Sequence, residues 1–180
     1  MPGEIWTIGH SNRELGEFLG LLAASSIGLV ADVRRFPGSR RHPHFNLEAL
    51  DAALGRVGMG YRHFADLGGR RDARAPQSPN TAWRIEAFNA FADYMATPSF
   101  AAALDELIAN AERARTAILC SEAVPWQYHC RLIADALIVR GWAVRDIIGP
   151  RKVEPHALTD FARVRDGRLT YPAEPLLPEG

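Results

Sequence analysis

What the chain has little of narrows the possibilities first. Two cysteines among 180 residues, Cys120 and Cys130, are too few for the disulfide framework of a small secreted domain. They are expected to be reduced thiols in a cytoplasmic protein. No charged leader precedes an apolar run, and no apolar stretch approaches the roughly 20 residues needed to cross a bilayer, so no membrane association is expected. Neither sign of charge is in excess. The 21 basic and 21 acidic side chains cancel, and no global field draws the chain to nucleic acid or an anionic surface. Motifs of fixed spacing are missing as well. Without a Gly-x-Gly-x-x-Gly or phosphate-loop lysine motif, dinucleotide and nucleoside triphosphate binding are disfavoured. Five residues after Cys120 comes Pro125 and then Trp126, which is not the Cys-x5-Arg loop of thiol phosphatases. His42, His44, Cys120, Glu122, His129 and Cys130 are competent metal ligands. No Cys-x2-Cys pair or His-Glu-x-x-His motif gives them a geometry, so no metal is assigned. Nothing names a cofactor or an oligomeric state, and no repeat or linker divides the chain.

What is present is ordinary for a globular protein: 47% hydrophobic and 23% charged residues. The simplest organisation is a single domain over residues 1–180, with a core at about 4–148 and a tail with a hairpin at 149–180. Ile5 to Ile8 is a β-prone opening that ends in Gly9-His10-Ser11. Ser11 and Glu14 form a capping-box pattern, which predicts a helix over Asn12 to Ala24. A strand over Gly28 to Val33 leads into Arg34-Arg35 and a loop broken by Pro37, Gly38 and Pro43. Asn46 is placed to cap a second helix, with Phe45 stapled on Leu50. A short strand at Tyr61 to Phe64 precedes Leu67-Gly68-Gly69 and an irregular segment to Pro79, of a length that often carries function.

Helices are predicted over Ala82 to Met95 and, with Pro98 in first position, over Pro98 to Ala114. The apolar run Ala117 to Leu119 is a strand buried on both faces. Pro125 and Gly141 bracket a helix over Trp126 to Arg140. A last buried strand lies at Ala143 to Ile148, and Asp166-Gly167 turns a hairpin over Phe161 to Tyr171. Strands alternating with helices imply an α/β fold of three layers, with a mostly parallel sheet of about five strands and helices on both faces. The carboxyl ends of parallel strands, where such folds bind ligands, then gather His10 and Ser11, Asp32 to Arg35, Leu67 to Arg71, and Cys120 to Glu122.

These stretches resemble a family of bacterial and archaeal proteins catalogued as domain of unknown function 488. The matching residues are Thr7-Ile8-Gly9-His10-Ser11, Asp32-Val33-Arg34 with Pro37 and Ser39, Tyr61, Leu67-Gly68-Gly69, Cys120-Ser121-Glu122 with Pro125-Trp126, and His129. Leu132-Ile133-Ala134 and Pro155-His156-Ala157-Leu158 match further on. The resemblance runs from about Glu4 to Pro172. It implies an α/β fold and assigns no reaction. Where the family usually reads Cys-His-Arg, this chain has Tyr128-His129-Cys130, so a role resting on that cysteine and arginine is not carried over.

Two functions of different class follow from the residues. In the first, a cytoplasmic hydrolase or transferase acts on a phosphate-bearing or other anionic small molecule. Cys120 is its nucleophile, activated beside a helix amino terminus, with His10 or His129 as base and Glu122 as orienting group or proton relay. Ser11, Asp32, Arg34, Arg35, Ser39, Gly68 and Gly69 form the substrate-binding set, since helix amino termini with arginines nearby suit anions. The alternative is a non-catalytic nucleic-acid-binding module. It uses the arginine-rich Arg34 to Arg74 region, with Trp83, Tyr61 or His44 as stacking surfaces. The spacing of Trp126, Cys130, Ile133 and Leu137 along one helix side puts Cys130 in the core.

Overall fold

The computed structural model describes residues 3–69, 71, 73–122 and 129–174. Its centre is the strand β4 (Thr116–Cys120), in which every residue is buried. The β-branched and apolar side chains of such a strand have no polar face to offer water, and the strand accordingly lies inside the sheet. On one side it pairs in parallel with β2 (Leu29–Asp32), on the other with β1 (Glu4–Gly9). β3 (Gly60–His63) continues the sheet beyond β2, and β5 (Ala143–Gly149) continues it beyond β1, both parallel. The five parallel strands expected are therefore present. A sixth, β6 (Lys152–Pro155), closes the edge antiparallel to β5, giving the order β3-β2-β4-β1-β5-β6. All four residues of β6 are exposed and carry no apolar alternation, so periodicity could not mark it as a strand.

Five helices cover the two faces. α1 (Leu15–Ala24) and α2 (Leu47–Arg56) bury Phe18, Leu22, Leu50 and Leu54 against Ile8, Val30 and Leu119. On the opposite face, α3 (Glu86–Tyr94), α4 (Pro98–Ala111) and α5 (Cys130–Val139) bury Phe91, Leu104, Leu107, Ile133 and Leu137 against Ile5, Ala31 and Ile118. This is the expected three-layer arrangement. It also places adjacent strands β2 and β4 at a point where the following helices leave to opposite faces, which opens a crevice at their carboxyl ends. The hairpin is also as expected. β7 (Arg163–Arg165) and β8 (Arg168–Thr170) are joined by Asp166 and Gly167, both left-handed with φ of 52° and 74°.

Among the described residues, local starts differ in two places, while the predicted start of the last long helix at Trp126 lies outside them and α5 is described from Cys130. The Ser11 capping box does not form: α1 begins at Leu15, and Ser11 has a left-handed φ of 46°. Tertiary pairing overrides the local signal, because His10 and Ser11 donate backbone N–H bonds to the Cys120 and Ser121 carbonyls at 3.0 and 2.7 Å and extend the β1–β4 ladder. Likewise α3 starts at Glu86 rather than Ala82. The Asn89 amide accepts from the Trp83 N–H at 3.1 Å and donates to the Trp83 carbonyl at 3.0 Å, which holds that turn out of the helix. Asn46 does stand at the amino end of α2. Its side chain, however, accepts from the Ser39 backbone N–H instead of capping the helix.

Candidate functional site

The cysteines require the largest correction. Cys120 and Cys130 are joined by a disulfide, with Cα atoms 6.5 Å apart, so the expectation of two reduced thiols is overturned. The carboxyl end of β4 and the first residue of α5 face the same core layer, which brings the sulfurs together. While this bond stands Cys120 is no thiolate, and at 3% exposure it is sealed from solvent. Cys130 is fully buried, in keeping with its helical spacing.

Asp32, at the end of β2, is completely buried and accepts four hydrogen bonds. Its Oδ1 receives the backbone N–H and Nε of Arg34 at 3.0 and 2.9 Å, and Oδ2 receives Arg34 Nη2 at 2.7 Å and the Tyr61 hydroxyl at 2.6 Å. Arg34 Nη2 also donates to the Phe45 carbonyl at 2.8 Å, and the next peptide is held where the Arg34 carbonyl meets His63 Nε2 at 2.6 Å. A buried carboxylate is tolerable because a bidentate guanidinium and a hydroxyl satisfy it. Burial and the Asp32 charge push the Tyr61 hydroxyl well above the usual phenol range, so it remains a donor. Asp32 thus fixes the orientation of Arg34.

On the α3–α5 side, His129 is buried against the edge of Phe91, with ring centroids 5.2 Å apart, and its Nε2 lies 3.3 Å from the Val33 carbonyl. Burial lowers its pKa to about 4, so the ring is neutral at pH 7. A neutral ring beside a carbonyl must place its N–H on Nε2, which leaves the lone pair on Nδ1. The Gly68-Gly69 pair explains itself in the same region. A Cβ on Gly68 would come within 2.8 Å of the Arg35 backbone nitrogen, and one on Gly69 within 2.8 Å of His129 Nδ1. Only glycine lets this loop close over the end of β2.

Between these groups opens a cavity of about 560 Å³ lined by Arg34, Arg35, Gly69, Ser121 and His129, with Phe36, Ile85, Ala87, Phe88 and Phe91 as its apolar wall. Of the residues expected at the site, Arg34, Arg35, Gly69 and His129 are therefore brought together. Asp32 and Gly68 stand directly behind them. The others are placed elsewhere. His10 stacks on Phe45 on the α1–α2 side, 4.7 Å between centroids, and its Nδ1 donates to the Ser11 carbonyl at 2.9 Å. Burial, with the nearby Arg34 and His42, lowers its pKa to about 4. Ser39 receives the His42 backbone N–H at 3.0 Å within its own loop. Ser11, Ser39, Cys120 and Glu122 do not line this cavity.

Beside the α1 amino terminus, Arg13 donates to the Gly9 and Ile148 carbonyls at 3.1 and 2.7 Å. Phe36, Ile85 and Phe88 were not singled out from the sequence, because isolated apolar residues in loops and helix starts carry no pattern. Among the described residues, no three His, Cys, Asp or Glu side chains form a group that could hold a metal.

Several features invoked for nucleic-acid binding are used internally. Arg62 pairs with Glu106, and Arg74 with Asp93 and Glu86. Trp83 is 8% exposed, packed between Phe161 and Tyr171, so it is no surface for stacking. Tyr61 donates to Asp32, and His44 packs on Phe45.

The fold and cavity define an open α/β protein whose polar pocket lies at the carboxyl ends of its parallel strands. Residues 14–137, more than half of the chain, match the model of the family described as Domain of unknown function DUF488, and the chain belongs to that family. No curated protein and no solved structure matches it. Among the described residues, no helix is long and apolar enough to cross a membrane.

Proposed function

We propose that the chain is an enzyme that binds a phosphate-bearing or otherwise anionic molecule at the carboxyl edge of its sheet and acts on it there. One observation carries this reading: two arginines, a hydroxyl and a neutral imidazole line the same cavity at strands' ends. Arg35 supplies charge-assisted donors for the anion, and Arg34, held by Asp32, completes the cavity wall behind it. His129 contributes a base whose low pKa keeps it unprotonated at neutral pH, and Ser121 is the hydroxyl that lines the same cavity. The reaction class is hydrolysis or group transfer, the chemistry open to a hydroxyl and a base without a bonded thiol.

The test is turnover of a panel of phosphomonoesters and phosphodiesters, followed as released phosphate or alcohol. The full-length chain should turn over at least one of them, and Ser121→Ala and His129→Gln should each slow it by about 100-fold or more. An Arg35→Gln variant should weaken inorganic phosphate binding at low salt, measured by calorimetry. Phosphate binding without any turnover would reduce the protein to an anion-binding module. Equal phosphate affinity in the wild type and Arg35→Gln would remove the pocket from the argument altogether.

A further inference from the structure

The same pocket carries a second message, about what is attached to the anion. Five large hydrophobic side chains are prominently exposed among the described residues, and two of them, Phe36 at 71% and Ile85 at 52%, line this cavity. Scattered single apolar residues need no explanation, but two on the rim of one cavity above buried Phe91 make a continuous apolar wall. Phe36 follows Arg35 directly, whose guanidinium carbon stands 5.3 Å from the ring centroid. An anion on Arg35 therefore lies one residue from an aromatic ring that carries the guanidinium over one face and is otherwise largely exposed.

A purely polar anion, such as inorganic phosphate or a sugar phosphate, would leave that wall wet. A planar heteroaromatic ring joined to phosphate through a short polar spacer would cover it, with the ring on Phe36 and the phosphate on Arg35. Stacking on an aromatic side chain tolerates any base, because every base has a π face. Among the described residues, the apolar wall carries no amide or carboxylate side chain that would read a base edge, so discrimination among bases is expected to be weak.

We infer that the ligand is a base-bearing phosphate ester, a nucleoside monophosphate in its simplest form, held by its phosphate at Arg35 and by its base against Phe36. This inference rests on reading the cavity as an anion site and adds the substrate class. The same chemistry has two sources, the free mononucleotide and the terminal nucleotide of a single strand.

Calorimetry on the full chain separates the possibilities. The probes are inorganic phosphate, ribose 5-phosphate, adenosine and uridine 5′-monophosphates, and a short 5′-phosphorylated single strand. Both monophosphates should bind about tenfold or more tightly than ribose 5-phosphate. Phe36→Ala, a change at an exposed side chain, should abolish most of that gain and bring the monophosphates down towards ribose 5-phosphate. A single strand that binds better than either mononucleotide would keep the base-plus-phosphate assignment and identify its source as a strand end. If the monophosphates bind no better than ribose 5-phosphate, or if the gain survives Phe36→Ala, the base subsite is refuted while the anion site stands. If no probe binds at low salt, both readings fall together.

Discussion

His129 rests on the backbone of Gly69, so closely that a Cβ on the glycine would stand 2.8 Å from the imidazole Nδ1. The contact ties the loop after β3 to the first turn of α5 and sets the depth of the cavity floor. Gly69→Ala should displace the imidazole and weaken ligand binding, with a modest loss of stability because a ring can tilt. Gly68→Ala is the harsher change. Its Cβ would meet the Arg35 Cα and N at 2.7 and 2.8 Å, which are backbone atoms that cannot rotate away. Overpacking of this kind costs about 1–3 kcal/mol, readable as a lower urea midpoint with unchanged slope. A Gly68→Ala protein as stable as the wild type would show that the loop approach is looser than described.

The disulfide gives a second prediction. Its cysteines are ten residues apart, and closing so short a loop in the unfolded chain is worth about 3 kcal/mol in the chain-entropy model. Thiol titration of the denatured, unreduced protein should find no free thiol, and two after phosphine reduction. Reduction should then lower the unfolding midpoint. Two reactive thiols in the unreduced sample would contradict the bridge. The family departure gains a physical sense here, because the partner of Cys120 is the cysteine that stands where the family has arginine.

Much of the fold was legible because its signals are local. Apolar runs mark β1, β2, β4 and β5, and Asp166-Gly167 marks a turn that needs two left-handed residues. What escaped depends on partners distant in sequence. The ladder from His10 and Ser11 to β4, the Asn89 clasp on Trp83, the exposed strand β6 and the disulfide all follow from tertiary placement. For the site, the convergence of β2, the glycine loop and β4 was readable from topology, and it brought in Arg34, Arg35, Gly69 and His129. The faces on which His10 and Cys120 lie were not. Another signal was present and unread: Thr7, Asp135 and Asp146 each interrupt an apolar run, and all three prove to be buried.

The loop after Gly69 is held by Asp93, which accepts Arg74 Nε at 2.8 Å, the Ala75 N–H at 2.9 Å, Asn80 Nδ2 at 2.8 Å and the Ser78 hydroxyl. Burial alone would raise its pKa, but the donors outweigh it and lower the value to about 2. The folded pKa lies below the unfolded one, so this stabilisation is present above about pH 4 and is lost as pH falls towards 2. Asp93→Asn should destabilise by about 1–3 kcal/mol at pH 7 and expose Arg74 to trypsin. Unchanged tryptic resistance would show that the loop does not depend on this carboxylate.

The buried run-breakers meet at His156. Its Nδ1 lies 2.9 Å from Asp146 Oδ2 and its Nε2 lies 3.2 Å from Asp135 Oδ1. Thr7 donates to Asp146 at 2.6 Å, and the Tyr171 hydroxyl donates to Asp135 at 2.8 Å. One imidazolium therefore bridges two carboxylates from β5 and α5, and Tyr171 fastens the hairpin segment to the same cluster. Burial by itself would lower the His156 pKa. Hydrogen bonds and charge from Asp135 and Asp146 more than offset it and raise the value to about 9. A raised folded pKa means that folding takes up a proton between the two values. The stabilisation is then complete below about pH 6.5 and declines as pH rises through 9. Its size, for a shift of this extent at a buried site, is on the order of 3 kcal/mol. Urea unfolding at pH 6 and pH 9.5 should show the loss, and folding near pH 7.5 should absorb about one proton by calorimetry in buffers of different ionisation enthalpy. A stability that is flat across this range would mean that the folded cluster takes up no proton and that His156 stands neutral between two ionised carboxylates.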